Sequence, residues 1–383
     1  MSATVAAEPR PATSASSPSN TLPPRLTSLD ALRGFDMFWI AGADDIVLAL
    51  KSASAAAPIA FVATQLEHVP WEGFRFYDLI FPLFVFIAGV SLVFSLTKML
   101  AEKGRPATFR RIFTRTVLIF VLGIIYSGGI AKGVQGIRLM GVLQRIALCY
   151  FFAAILFCTF RLRGLIVACV ALLVGYWAMM TFIPVPGVGA GNFAEGSNLA
   201  NWIDQNYLPF RKYDGNHDPE GLLSTLPAVA TCLLGVFAGL LLRNDRFTGQ
   251  QKVNRLAIAG IAGLVLGYLW GLQFPIIKKI WTSSYVLFAG GWSCLLLALF
   301  YQVVEIWRAT KWAQPFLWIG MNAITIYLIS AWFPFKDIAN RIAGGPIKGS
   351  VKPWGEVLIT VVMLVLIILF ARFLYRRKIF LRL

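Results

Sequence analysis

Residues 66–91 read Leu66-Glu-His-Val-Pro-Trp-Glu-Gly-Phe-Arg-Phe-Tyr-Asp78-Leu-Ile-Phe-Pro-Leu-Phe-Val-Phe-Ile-Ala-Gly-Val-Ser91. A short polar loop carrying His68, one of only 2 histidines in 383 residues, runs directly into an apolar stretch that starts near Asp78. Apolar residues without the alternation of a strand, over this length, read as a membrane-spanning helix. An imidazole and a carboxylate are thereby placed where a membrane surface meets water.

The rest of the chain has the same character. Hydrophobic residues make up 58% and charged residues 14%, with a mean hydropathy of +0.70, far more apolar than ordinary soluble usage. The expected fold is an all-α integral membrane protein, because long apolar runs suit bundled helices and not barrel strands. Ten candidate spans follow, at about 28–50, 76–97, 112–130, 139–160, 164–183, 222–242, 255–274, 281–304, 315–335 and 355–375. Residues 1–24, rich in Ala, Ser, Pro and Thr, read as a disordered cytoplasmic tail, and 25–383 as one transmembrane domain.

The net charge of +17 does not point to nucleic acid, since the basic residues sit at the ends of apolar segments and not in one soluble patch. With an even number of spans, 22 Lys/Arg fall on the side of the termini and 12 on the other. The positive-inside rule then makes both termini cytoplasmic and places His68 on the extracytoplasmic face. The one long loop on that face, 184–221, is rich in Pro, Gly and Asn and is expected to be irregular. It holds the second histidine, His217, for which an exposed loop offers no special environment. The five cysteines lie in apolar segments without metal-ligand spacing, so neither a disulfide framework nor a metal site is expected.

Ionisable groups inside a bilayer are costly unless paired or facing a polar cavity. Asp30 and Arg33 are three apart and share a helix face, which suits an interfacial ion pair or a phosphate contact. Asp44 lies fourteen residues beyond Asp30, about 21 Å along a helix, and so reaches the level of His68. Arg145, with Gln144 beside it, needs an anionic or carbonyl partner, Asp78 being one structural alternative. Asp78 follows His68 by ten residues and is close enough to orient or charge the ring. Trp71, Phe74, Phe76 and Tyr77 suit stacking on a sugar, or equally the aromatic belt of a membrane interface.

Eight short motifs occur in a fixed order: Ser28-Leu-Asp-Ala-Leu-Arg-Gly34, His68-Val-Pro-Trp-Glu-Gly73, Asp78-Leu-Ile-Phe-Pro-Leu-Phe-Val-Phe-Ile-Ala-Gly89, Gly141-Val-Leu-Gln-Arg145, Pro184-Val-Pro-Gly187, Asp218-Pro-Glu-Gly-Leu222, Lys279-Ile-Trp-Thr-Ser-Ser-Tyr285 and Gly320-Met-Asn322. In register, over residues 25 to about 335, they resemble the heparan-alpha-glucosaminide N-acetyltransferase family. The resemblance implies a transmembrane acyltransferase that moves acetyl from cytosolic acetyl-CoA to the amino group of a terminal glucosamine on the far side. His68 matches the family's active-site histidine, and Asp44 falls where the eukaryotic lysosomal members have a catalytic asparagine. The chain looks like a shorter bacterial form, without their lumenal domain and extra first span, which implies a bacterial inner membrane.

On that reading His68, Asp44 and Asp78 are the catalytic candidates. Arg33, Gln144, Arg145, Lys278, Lys279, Ser283 and Asn322 are candidates for holding acetyl-CoA, and Trp71 with Glu72 for the acceptor. His68 would act as base or as acyl-carrying nucleophile, with Gln144, Asn322 or Arg145 at the oxyanion. Partners would be the two small-molecule substrates, the lipid bilayer and a second copy in a homodimer. A secondary transporter for an amino sugar is the rival, since buried charges and broken helices suit it too.

Overall fold

The computed structural model describes residues 26–381 apart from Lys132, and the side chains of Ala43 and Asp44 lie outside the described set, as does the tail read at 1–24. The helices are α1 (Thr27–Ala53), α2 (Ala57–Gln65), α3 (Phe76–Tyr126), α4 (Val142–Thr159), α5 (Leu162–Phe182), α6 (Leu199–Tyr207), α7 (Thr225–Arg243), α8 (Gly249–Gly271), α9 (Ser283–Tyr301), α10 (Gln314–Gly320), α11 (Ala323–Trp332), α12 (Phe335–Ala343), α13 (Pro346–Ser350) and α14 (Gly355–Arg376). Among the described residues the only β pairing is four isolated bridges.

Among the described residues, seven helices are long and apolar enough to cross a membrane: α3, α4, α5, α7, α8, α9 with its π-helical extension to Ile306, and α14. Outward side chains such as Val167, Ile258, Leu266, Val365 and Leu369 are exposed, as a lipid-facing band requires. α3 has 51 residues, more than twice what a hydrocarbon core of about 30 Å needs. It breaks at Gly104, whose φ of 73° lies in the left-handed region, two residues before Pro106. Both Asp78 and Tyr126 line one cavity, although a straight helix would set them roughly 70 Å apart. The chain therefore doubles back at Gly104.

Two expectations need correction. The stretch 315–335 is not one straight helix: α10 and α11 meet at 82°. α10 makes a close crossing with α1, for a methyl on Gly34 would fall 1.7 Å from the Phe316 carbonyl oxygen, and one on Gly320 1.9 Å from that of Asp30. Backbones this close fix α10 on α1, and the chain restarts at Asn322. The segment 184–221 is not wholly irregular either. It contains α6, whose N-cap Asn198 accepts a hydrogen bond from the Asn201 N–H. Leu199 and Ala200 pack with Tyr176, Phe274, Ile277 and Ile280 in a second apolar cluster. That cluster seats the segment over one end of the bundle.

The main core joins α1, α3, α4, α7, α9 and α14. α3 and α7 cross where a methyl on Gly89 would lie 2.0 Å from the Cys232 carbonyl oxygen, the close backbone approach by which helices associate in lipid. The five cysteines are free thiols.

Candidate active site

Asp78 sits in the first turn of α3, fully buried, where a carboxylate meets unpaired backbone N–H groups. Its Oδ2 accepts from the N–H of Arg75 at 3.0 Å and of Val69 at 3.3 Å, which ties the loop to the helix start. Its Oδ1 lies 2.8 Å from His68 Nδ1. An ionised carboxylate can only accept, so Nδ1 carries the proton and Nε2 presents a lone pair. Tyr77 stacks on the ring at 4.6 Å, and half of the His68 side chain is exposed. Beneath, the Tyr285 hydroxyl donates to the Asp78 carbonyl at 2.7 Å.

Lys278 completes the arrangement from 210 residues away: its Nζ is 3.0 Å from His68 Nε2, 2.9 Å from Nδ1 and 3.7 Å from Asp78 Oδ1. With Nδ1–H given to Asp78, the ammonium donates to Nε2. Imidazole, carboxylate and ammonium form part of the wall of a cavity of about 400 Å³, shared with Trp71, Arg138, Tyr213, Asp214, Glu220 and Lys279. Ile40, Phe81, Val142 and Tyr327 also border a narrow apolar seam of about 20 Å³ that runs on to Met37, Phe84 and Ile324. That is room for about one water.

A second charged group flanks the cavity. Arg138 grips Asp218 through Nε at 2.9 Å and Nη2 at 2.7 Å, reaches Glu220, and lies 4.7 Å above the Tyr213 ring. Burial alone would lower the Arg138 pKa, but the two carboxylates outweigh it and raise it. Burial pushes Glu220 up despite Arg138. Asp204 of α6 is pushed up to about 6 by burial, although the N–H groups of Leu222 and Asp218 donate to it. None of these was singled out from sequence, save through the Asp218-Pro-Glu-Gly-Leu222 motif. Arg138 is separated from Asp218 by 80 positions, so no local spacing reveals the pair.

The residues nominated from sequence divide by place. His68, Asp78, Trp71, Lys278 and Lys279 line the cavity. The Trp71 indole N–H donates to the Phe193 carbonyl, while Lys279 sits 6.0 Å over its ring and pairs with Glu195 at 2.6 Å and Asp214 at 3.0 Å. Glu72 is exposed, in a backbone bridge to Ile277. Gln144 and Arg145 are buried off the cavity wall. Gln144 donates to the Arg138 carbonyl. Arg145 donates to the Gly221 carbonyl and Ser224 hydroxyl, not to Asp78, and lies over Trp281 at 4.9 Å. Ser283 is buried, its hydroxyl donating to the Leu173 carbonyl.

One helical turn before Met37 on α1, Arg33 bonds Asp30 at 3.1 Å and Ser91 at 2.6 Å. Asn322 is buried at the break between α10 and α11 with both amide atoms lacking a hydrogen-bond partner, as are both carboxylate oxygens of Asp36. Asp44 lies on α1 one turn beyond Ile40, and its side chain is outside the described residues. His217, expected in an exposed loop, is buried with 4% of its surface accessible. The packing of 184–221 onto the bundle is the reason.

Residues 25–270 match the family model described as heparan-alpha-glucosaminide N-acetyltransferase, catalytic. Heparan-alpha-glucosaminide N-acetyltransferase of Homo sapiens is 28% identical over a 427-residue alignment that covers 94% of this chain and 60% of that protein. The protein of the same name from Mus musculus is 28% identical over 335 residues, 70% of this chain and 50% of its own length. The chain thus spans little more than half the length of these relatives. The family-model match holds the His68–Asp78 pair, the Arg138 cluster and Gly34, while Phe316, Lys278 and Asn322 lie beyond it. With well over half of its length matched, the chain belongs to the heparan-alpha-glucosaminide N-acetyltransferase catalytic family.

Proposed function

We propose that this chain is a multi-pass acetyltransferase of a bacterial inner membrane, taking acetyl from cytosolic acetyl-CoA and passing it to the amino group of a glucosamine-type sugar on the opposite side. The observation that carries the reading is the 2.8 Å contact between His68 Nδ1 and the buried Asp78 carboxylate in a cavity wall. Ten spans follow if α3 counts as two, α1 as one despite its charges, and the α10–α11 pair as one broken span. The asymmetry of Lys and Arg then puts both termini in the cytoplasm.

His68 acts through Nε2. In direct transfer the amine nitrogen bonds to the acetyl carbon as the C–S bond breaks, Nε2 takes the amine proton, and the proton passes to the departing thiolate. In the covalent variant Nε2 itself bonds to the acetyl carbon as the C–S bond breaks and the thiolate leaves; the amine then displaces the imidazole, and the proton the amine sheds goes to the thiolate. Asp78 holds the ring and tautomer in both. Lys278 is the donor nearest the reacting position and takes the oxyanion role.

The donor's arm would enter along the apolar seam, which must widen to admit it. Asp36 and Asn322, one and two residues from seam-lining Met37 and Ile324, have unpaired polar atoms suited to the amides of such an arm. Arg33 stands nearby for phosphate. Trp71 offers the acceptor sugar a stacking face.

Purified protein given acetyl-CoA and glucosamine is expected to release free CoA and N-acetylated sugar in equal amounts. Movement of the amino sugar across vesicles with acetyl-CoA left intact would overturn the proposal in favour of a transporter.

A further inference from the structure

The segment between α5 and α7 brings three donor atoms to one point beside Lys279. Glu195 Oε1 and Asp214 Oδ2 each lie 3.7 Å from His217 Nε2, and the three atoms are all within 4.8 Å of one another. The His217 side chain is 5% exposed. Its Nδ1 is 2.7 Å from Asn216 Oδ1, an oxygen that only accepts, so Nδ1 carries a proton and in the neutral ring Nε2 offers a lone pair. Nε2 has no hydrogen-bond partner. A buried lone pair aimed at two carboxylate oxygens is unfavourable unless a proton or a metal cation sits among them.

Part of that need is met by Lys279, whose Nζ is 2.6 Å from Glu195 Oε1 and 3.0 Å from Asp214 Oδ2. An ammonium supplies one charge to two carboxylates, and it makes no hydrogen bond to Nε2, which stays unpartnered. A divalent ion balances both carboxylates and accepts the lone pair as well.

We propose that Glu195, Asp214 and His217 form a binding site for a divalent transition metal of the zinc class, with the Lys279 ammonium as the competing cation. One imidazole and two carboxylates, with a further position open, is a donor set that zinc takes at about 2.0–2.1 Å. Tetrahedral ligands at such distances are about 3.4 Å apart, so the two 3.7 Å separations close by a few tenths of an ångström, and the Glu195–Asp214 separation, within 4.8 Å, closes by no more than about 1.4 Å. Asn216 plays the part usual for the group behind a ligating histidine, fixing tautomer and ring orientation. Because Asp214 and Lys279 also line the His68 cavity, metal binding places a cation in the cavity wall and releases the Lys279 side chain.

The site is tested without acetyl-CoA and so stands or falls apart from the acetyltransferase reading. Untagged, chelator-washed protein in detergent is titrated with Zn²⁺ against a fluorescent chelator, and with Co²⁺ followed by its visible absorption. One equivalent is expected, weakened tenfold or more in His217→Ala and in Asp214→Asn, tightened in Lys279→Met, and unchanged in His68→Ala. Thermal melting of each metal-free variant shows that it remains folded. No binding by the wild type, binding that survives His217→Ala, or binding lost in His68→Ala would overturn the site. An affinity unaltered in Lys279→Met would overturn the competition.

Discussion

Lys278 Nζ lies 3.0 Å from His68 Nε2 and 3.7 Å from Asp78 Oδ1, so the nitrogen proposed to act on the acetyl group is covered by a hydrogen-bond donor. A substrate carbonyl that displaces the ammonium from Nε2 keeps it within reach of the developing oxyanion. Lys278→Met is therefore expected to lower kcat by about 10²- to 10³-fold, the usual effect of losing one such donor, with little change in KM for acetyl-CoA. An unchanged kcat would remove Lys278 from the reaction.

Asp78→Asn tests the orienting carboxylate. An amide can present its NH₂ to Nδ1 and favour the wrong tautomer, so the rate should fall by on the order of 10²–10⁴. The same change weakens the acceptor for the N–H groups of Arg75 and Val69, which is expected to cost about 1 kcal/mol of stability, read as a lower melting temperature in detergent. The two effects separate by measuring rate and melting on the same preparation.

Quench-flow with acetyl-labelled acetyl-CoA and no acceptor distinguishes the two chemical routes. Label retained on the wild-type protein and absent from His68→Ala indicates the acyl-imidazole. A fully active preparation that retains none indicates direct transfer.

Asp204 gives a pH signature. Its folded pKa, pushed up to about 6 by burial, exceeds the ordinary carboxylate value near 4. The unfolded chain thus loses its proton first, and the penalty grows as pH rises from about 4 to about 6, reaching about 3 kcal/mol above that. Asp204→Asn does not titrate. Relative to the wild type, the variant should gain stability across this window and then stay level, as measured by melting at a series of pH values. A difference flat from pH 4 to 7 would show that Asp204 is not held protonated.

The crossing of α1 on α10 makes a packing prediction. Gly34→Ala forces a methyl onto the Phe316 carbonyl oxygen and should lower the melting temperature sharply, with loss of activity through the displaced Asn322 break. Gly175→Ala in α5, where a methyl meets nothing within 4 Å, should be neutral or mildly stabilising.

What the sequence made legible was local. The apolar runs located the helices, and the three-residue spacing of Asp30 and Arg33 announced their ion pair. The ten residues between His68 and Asp78 span one loop and the first turn of a helix, so their proximity could be read directly. Lys278 was read for phosphate because nothing nearby in the chain shows that it returns to His68. The same limit hid Arg138 with Asp218, the burial of His217 and the bend at Asn322. Each depends on backbones meeting across long stretches of chain, at glycines whose role appears only once the opposing helix is in place.

His68 is proposed to pass acetyl across the membrane from an inner donor to an outer amine. The most direct measurement seals acetyl-labelled acetyl-CoA on the cytoplasmic side of proteoliposomes, supplies glucosamine on the other, and compares wild type with His68→Ala. Labelled N-acetylglucosamine is expected outside the wild-type vesicles and none above background with the variant, whose melting temperature is unchanged. Product formed equally well by His68→Ala would contradict it.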